Sequence, residues 1–146
     1  ALPISMTMIS TRGRYALLVL LDLAADQGSG GTLTLKEIAD RERISEKYLE
    51  NIVKSLVKAG ILKGSRGKGG GYRLMTPPEE CTLGSILRVT EGDLSPVSCI
   101  VEGVARCEQA AECPTLPTWI RLNGLIQGFL DSVTLADLME QGKETV

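Results

Sequence analysis

The fold is decided by TLKEIADRERISEKYLENIVKSLVKAG, which extends from Thr34 to Gly60. Thr34 lies three positions before Glu37, and this T-x-x-E pattern is a capping box that predicts a helix running to about Arg43. Ser45 is then the N-cap of the next predicted helix, which ends at Gly60. Two helices with so short a connection have the spacing of a helix-turn-helix, and a plain antiparallel helix pair is the alternative.

The second helix of this pair is predicted over Glu46–Ala59. Its apolar stripe comprises Leu49, Ile52, Val53, Leu56 and Val57. Its exposed face is predicted to carry Glu46, Lys47, Glu50, Asn51, Lys54 and Lys58. If the pair binds DNA, the N-terminal end of this helix enters the major groove.

A glycine-rich segment, RGKGGGYRL, follows from Arg66 to Leu74. It lies between two strand-like pieces, Ile61–Lys63 and Tyr72–Met75, which predicts the tip of a β-hairpin. A nucleotide-binding loop is disfavoured, because the G-x-x-x-x-G-K-[ST] pattern is absent and a Pro-Pro break follows instead of a helix. A hairpin directly after a helix-turn-helix is a wing, whose glycines would let the backbone approach phosphates.

The rest of the chain predicts further helices and little sheet, so the fold class is mainly α with a small β-hairpin (α+β). The other predicted helices are Ser10–Asp26, ended by Gly28–Gly31; Leu83–Thr90, capped by Thr82; Thr118–Leu130, begun by Pro117; and a last short helix capped by Thr134. Residues 92–116 are predicted to be irregular. The apolar positions of the long helix after Pro117 occupy more than one face, so we expect a second copy of the chain to cover it, unless it packs on the first domain.

Composition narrows the classes of function. From Lys36 to Arg73 there are ten Lys and Arg and five Asp and Glu, whereas from Leu74 to Val146 there are four and eleven. This basic block indicates a face for a polyanion, although ordinary solvated helix charge would also account for it. The absence of His removes His-based catalysis and His metal ligands, and no catalytic motif is evident. No apolar run approaches the roughly 20 residues of a membrane span, and no signal peptide is evident.

Four cysteines suggest a second site. Cys99, Cys107 and Cys113 have the spacing C-x7-C-x5-C, and thiolates in such a set bind iron–sulfur clusters or zinc. Thiols without a metal are the other possibility. Cys81 stands apart, directly before a helix cap, and is interpreted as a small buried residue.

The order of these elements resembles the Rrf2 family of bacterial transcription regulators, and is most similar to its IscR-like members. The matching segments are STRGRYAL at 10–17, ISEKYLENIVKSLVKAGIL at 44–62, RGKGGGYRL at 66–74 and SVTLADL at 132–138. The resemblance implies a homodimer, paired through the long C-terminal helix, that binds a palindromic double-stranded DNA operator through a winged helix-turn-helix. Because no export signal is evident, the expected location is cytoplasmic. It covers nearly everything after residue 8.

The resemblance also implies which residues contact DNA. Ser45, Lys47, Tyr48 and Asn51 match the major-groove contacts, and Glu50 matches a Glu that helps to choose between operator classes. Arg66 matches a wing arginine that enters the minor groove. Phosphate contacts would come from the wing and its strands, namely Lys63, Lys68, Gly69, Gly70 and Arg73.

For the cysteines, the resemblance to IscR-like members implies a [2Fe-2S] cluster on Cys99, Cys107 and Cys113. The fourth ligand in those relatives is a His, and the matching position here is Leu116. A substitute would have to be an acidic residue, Cys81, a backbone or solvent group, or a group from the partner subunit. Arg14 precedes the first-helix Tyr, where NsrR-like members carry an Asp ligand. Zinc, metal-free thiols and a cluster-free regulator controlled by a partner protein, as in CymR-like members, remain the alternatives.

These elements predict five segments. Residues 1–7 are expected to be a disordered end or a cloning remnant, and residues 8–78 a winged helix-turn-helix domain. Residues 79–91 would be a connecting helix, residues 92–116 a cysteine-containing sensor loop, and residues 117–146 the dimerisation helix and a C-terminal helix.

Overall fold

A computed structural model of the 146-residue chain describes residues 8–27 and 32–144. The described residues form six α-helices, two small antiparallel hairpins and one 3₁₀ turn. In chain order the elements are α1 (Thr11–Gln27), α2 (Leu35–Glu42), α3 (Glu46–Lys58), β1 (Leu62–Ser65), β2 (Gly71–Leu74), α4 (Leu83–Glu91), β3 (Ile100–Val101), β4 (Val104–Ala105), the 3₁₀ turn (Ala110–Glu112), α5 (Leu116–Ser132) and α6 (Leu135–Glu144). The predicted class, mainly helical with a small hairpin, is confirmed.

Local capping determines where several helices begin. The Thr34 hydroxyl accepts from the Glu37 amide at 3.2 Å, and the Glu37 carboxylate accepts from the Thr34 amide at 2.7 Å. Thr134 and Asp137 repeat this reciprocal pair at 3.1 and 2.9 Å at the start of α6. Each cap satisfies backbone donors that the first helical turn leaves free, and stabilises the helix by about 0.5–2 kcal/mol.

Helix α1 lies at the centre of the core. Its residues Ala16, Val19 and Leu20 are completely buried. The helices α2, α3, α4 and α6 all pack against it, so the C-terminal helix joins the core of the winged region. A smaller cluster of Leu87 and Leu130, together with Leu94, joins α4 to α5.

Several predicted boundaries and faces need correction. The predicted helices Ser10–Asp26, Glu46–Ala59 and Leu83–Thr90 each differ from α1, α3 and α4 by one residue at one or both ends. The long helix begins before Pro117, at Leu116, and ends at Ser132 instead of Leu130, so it is longer than predicted at both ends. The glycines predicted to end α1, and residues 1–7, lie outside the described residues.

Two further expectations are wrong in part. Val57 was assigned to the buried stripe of α3, but it is exposed because it faces the groove beside the wing. Residues 92–116 are not wholly irregular, since they contain the β3–β4 hairpin and the 3₁₀ turn. The sequence does not predict this hairpin, because strands of only two residues are too short to show an alternating pattern.

Helix α5 is apolar on two faces, as predicted. Its inner face buries Leu116 and Leu130, together with the polar side chain of Asn123. Leu125 and Phe129 on another face are 69% and 63% exposed. No helix in the described ranges is long and apolar enough to cross a membrane.

Candidate nucleic-acid interface and cysteine loop

Helices α2 and α3 are joined by a tight turn. Arg43 adopts a left-handed conformation with φ of 57°, and the Ile44 amide donates to the Ala39 carbonyl at 3.1 Å. The Ser45 hydroxyl then accepts from the Tyr48 amide at 3.1 Å and starts α3. The predicted helix-turn-helix is therefore present.

Helix α3 has one fixed face and one free face. The side chains of Leu49, Ile52, Val53 and Leu56 are buried. The side chains of Lys47, Glu50, Asn51 and Lys54 are exposed on the opposite side. The only contact between them is an ion pair of Glu50 with Lys54 at 4.0 Å, which at this exposure contributes little to stability. These polar groups are consequently available to an external partner.

Two residues of α1 brace α3 from behind. Tyr48 is half-buried, and its ring meets Tyr15 edge-on with the centroids 6.0 Å apart. Arg12 donates from Nη2 to the Ser55 hydroxyl at 2.5 Å and to the Asn51 carbonyl at 3.3 Å. Arg12 was not predicted as a site residue, because nothing in its local sequence signals a contact to a helix some forty positions away.

The wing is a regular hairpin with an added bridge. Leu62 to Ser65 pair with Leu74 to Gly71, and the Tyr72 amide donates to the Leu33 carbonyl at 2.7 Å. This bridge ties the wing to the segment that enters α2. The wing is therefore held against the helix-turn-helix.

The wing tip presents its basic residues to solvent. Arg66 and Lys68 are exposed there. Gly67 and Gly69 have φ of 93° and 79°, a backbone conformation that residues with a side chain rarely adopt. A side chain at Gly70 would collide with the Ser65 carbonyl of the same hairpin. Gly70 is thus required by the turn itself, independently of any role beside phosphates.

A groove of about 430 Å³ separates α3 from the wing. Lys54, Lys58 and Arg66 line it, together with the apolar side chain of Val57. The described residues that line this groove include these three cations and no acid, and Lys54 has a weak ion pair with Glu50 outside it. An extended anion is therefore the complementary partner.

The three clustered cysteines lie along one loop and are not drawn together. Cys99 precedes β3, Cys107 follows β4, and Cys113 ends the 3₁₀ turn. Among the described residues no three Cys, Asp or Glu side chains form a group able to hold a metal ion. Leu116, at the position of the expected fourth ligand, is buried. The residues as placed therefore do not fit a preformed cluster or zinc site.

The cysteines differ in chemical environment. A hydrogen bond with the Thr115 hydroxyl at 3.4 Å, and then backbone hydrogen bonds, lower the pKa of Cys113. Burial raises the pKa of Cys81, which is the small core residue that the sequence predicted. Since the thiolate is the reactive form, Cys113 is better suited than Cys81 to oxidation or metal binding.

The first turn of α1 links the cysteine loop to α3. The Glu91 carboxylate, at the end of α4, accepts from the Ser10 hydroxyl at 2.5 Å and from the Ser10 amide at 3.2 Å. Gly13 is buried against Glu91 and Leu87, where any side chain would collide. The same turn carries Arg12, which contacts α3. The first turn of α1 therefore contacts both α3 and Glu91, the residue directly before the cysteine loop.

A helix-turn-helix followed by a basic wing defines a winged-helix DNA-binding protein. Residues 9–141 match the Rrf2 family model, described as an iron-dependent transcriptional regulator. The chain belongs to the Rrf2 family of transcriptional regulators, which are not enzymes.

Three relatives illustrate the likeness. The transcriptional regulator CymR of Bacillus subtilis is 42% identical over 130 residues, which are 89% of this chain and 88% of CymR. Its solved structure, described as that of the global cysteine regulator, has a TM-score of 0.76 with 41% identity and covers 93% of this chain and 98% of CymR. IscR of Aliivibrio salmonicida is 34% identical over 131 residues, which are 90% of this chain and 76% of that protein. The structure of T. potens IscR has a TM-score of 0.74 with 35% identity and covers 93% and 88% of the two chains.

Proposed function

We propose that this chain is a homodimeric, sequence-specific regulator that binds a palindromic double-stranded DNA operator. The observation that carries the proposal is the cationic groove between α3 and the wing, formed by Lys54, Lys58 and Arg66. An α-helix fits the major groove of B-DNA, and a wing beside it reaches the adjacent backbone or minor groove. A cytoplasmic location goes with this function.

In this proposal the N-terminal half of α3 provides sequence selectivity. The Asn51 amide can form a bidentate pair with adenine, while Lys47 pairs with guanine or phosphate. Ser45 and the hydroxyl end of Tyr48 donate to the backbone, since the Tyr48 ring itself is packed against Tyr15. Glu50 accepts from cytosine and repels phosphates, which makes it a selector between operators.

The wing provides the second contact. Arg66 enters the minor groove, where its charge responds to groove width. Lys68 and the Gly69 and Gly70 backbone lie beside phosphates and fix the register without specifying sequence. Lys63 and Arg73, both exposed on the strands, extend this contact.

The homodimer would form through the outer face of α5. Leu122, Leu125 and Phe129 follow one another at helical spacing and are all exposed. Such a stripe suits a two-fold contact with its own copy, and two-fold symmetry of the protein requires a palindromic operator.

We further propose that the cysteine loop regulates DNA binding. Two observations favour control without a preformed cluster: the three thiols are apart, and buried Leu116 supplies no donor. The higher identity with CymR than with the two IscR proteins points the same way. Thiol redox state or a partner protein would then be the signal.

A [2Fe-2S] cluster on Cys99, Cys107 and Cys113 is the second candidate. It is favoured by three thiols within one loop and by the description of the family as iron-dependent. Thiolates are the ligands that such clusters require, but the loop would have to rearrange to bring the three together. The cluster would make the loop sensitive to iron and to oxidants.

Two experiments test the proposal. Selection from random duplexes should yield a palindromic site, with binding that weakens steeply as salt rises. If the protein retains no duplex above background, the DNA-binding function is wrong. Anaerobic purification with iron and sulfide assays separates the two signals: absence of both supports cluster-free control, and stoichiometric iron and sulfide support the cluster.

A further inference from the structure

A cavity of about 570 Å³ lies between the end of α4, the β3–β4 turn and the inner face of α5. Arg88, Asp93, Glu102, Asn123 and Gln127 contribute its polar lining. None of these side chains belongs to the proposed DNA contacts or to the thiol set. The cavity therefore needs its own explanation.

One wall is a chain of hydrogen bonds with a fixed direction. Arg88 has only donors, and its Nη2 donates to Gln127 Oε1 at 2.7 Å. The Gln127 amide nitrogen consequently points the other way and donates to Asn123 Oδ1 at 3.2 Å. Asp131 fixes Arg88 by accepting from both guanidinium nitrogens at 2.7 and 3.1 Å. The orientation of both amides thus follows from the guanidinium.

This chain ends at a donor without an acceptor. Asn123 is only 9% exposed, and its Nδ2 makes no hydrogen bond within residues 8–27 and 32–144. The Nδ2 atom is open to the solvent of the cavity, because it is not among the buried unpaired side-chain atoms of the described residues. A ligand carboxylate or carbonyl oxygen in the cavity would accept from it in place of water.

The opposite wall carries negative charge. Asp93 Oδ1 accepts from the Ser95 hydroxyl at 2.8 Å and from the Glu102 amide at 3.3 Å, which holds the β3–β4 turn over the cavity. Asp93 Oδ2 and the Glu102 carboxylate make no hydrogen bond in the described part of the chain. Because Arg88 is already paired with Asp131, these two acids favour a cationic group.

We propose that this cavity binds a free α-amino acid as its zwitterion. The ligand carboxylate accepts from Asn123 Nδ2, and the ligand ammonium lies against Asp93 and Glu102. A simple amine would offer no acceptor to Asn123, and a simple carboxylic acid would offer no cation to the two acids. Too few ligating side chains come together in the described residues for a metal ion to be the occupant.

Occupancy would brace the start of the cysteine loop against both α4 and α5. Asp93 lies two residues after Glu91, whose carboxylate holds the first turn of α1. The bound amino acid would thus be an effector that acts on the contact between Glu91 and the first turn of α1. The site itself does not depend on the proposed DNA-binding function, because its occupancy can be measured without DNA.

Calorimetric titration of the purified full-length protein with each of the twenty L-amino acids tests the proposal. At least one should bind saturably with a Kd below about 1 mM. Its analogue with a hydroxyl in place of the α-ammonium, and its carboxamide, should each bind at least about tenfold more weakly, which corresponds to about 1.4 kcal/mol. If no amino acid binds at about 10 mM, the proposal is wrong. This holds also if the reason is that the partner subunit fills the cavity.

Two variants locate the ligand. Glu102→Gln, at the exposed turn, and the near-isosteric Asn123→Asp should each weaken binding about tenfold or more. Glu108→Gln, an exposed acid of the same loop outside the cavity, is the matched control and should bind as the wild type does. If Asn123→Asp does not fold, Glu102→Gln alone decides, and unchanged binding by a folded Glu102→Gln contradicts the site.

Discussion

The wing and the β3–β4 hairpin are both two-stranded and both turn on glycines, yet they are held very differently. The wing has four residues a strand, a bridge to Leu33 and buried Leu62 and Leu74 at its base. The second hairpin has two residues a strand, and only Ile100 is buried. The wing is thus fixed to the core, whereas the hairpin between Cys99 and Cys107 has few contacts that a movement would break. A signal at the cysteines can move the second hairpin at low cost without disturbing the first.

The largest expected effect comes from separating the two copies of the proposed homodimer. Phe129→Glu places a charge in the exposed apolar stripe of α5, so we expect monomers and loss of operator binding by about 100-fold or more, since each half-site contact would act alone. Sedimentation velocity and fluorescence anisotropy measure the two quantities. Lys143→Glu, exposed on α6, is the control and should leave the assembly unchanged. A Phe129→Glu protein that stays dimeric would place the dimer contact elsewhere.

Next in size is the wing. Arg66→Ala should weaken operator binding by about 1–3 kcal/mol and relax sequence preference at the flanks, because it removes a groove contact. Lys68→Ala should weaken binding to all duplexes alike and reduce the salt slope by about one. Anisotropy titrations at several salt concentrations distinguish them. Equal behaviour of the two variants would remove the special role of Arg66.

A pair of glycine substitutions compares the hairpins directly. Gly70→Ala should distort the wing tip and reduce DNA binding, because the added methyl group meets the Ser65 carbonyl. Gly103→Ala, in open space with φ of 79°, should cost about 1–2 kcal/mol of local strain and leave DNA binding nearly intact. Operator affinity and thermal melting report both effects. A stronger binding defect in Gly103→Ala would reverse the roles of the two hairpins.

The smallest effect concerns pH. Partial burial, then a hydrogen bond with Asp22, and then the negative charge of Asp22 raise the pKa of Glu42 to about 7. The folded state then holds a proton that the unfolded chain has released, so stability falls as pH rises from about 4.5 to 7. Glu42→Gln should abolish this part of the pH dependence of the melting temperature, and Asp40→Asn, exposed nearby, should not. An unchanged slope in Glu42→Gln would refute the assignment.

Local patterns predicted the helix starts, the helix-turn-helix and the wing, because capping residues and glycines act over a few positions. They did not predict Arg12, Glu91 or the buried Asn123, since these residues meet partners about forty to eighty positions away or depend on how α5 lies. The predicted burial of Val57 is wrong because the apolar spacing of a helix does not show that the wing leaves a groove beside this residue. The predicted DNA contacts and segment boundaries stay predictions.

Hydroxyl-radical footprinting of the selected operator shows directly whether a dimer binds a palindrome through α3 and the wing. We expect two protected half-sites related by two-fold symmetry, with centres a whole number of helical turns of about 10–10.5 base pairs apart. Each half-site should have a flanking minor-groove segment whose protection is lost in Arg66→Ala. A single asymmetric footprint, or flanks that Arg66→Ala leaves protected, would contradict this mode of binding.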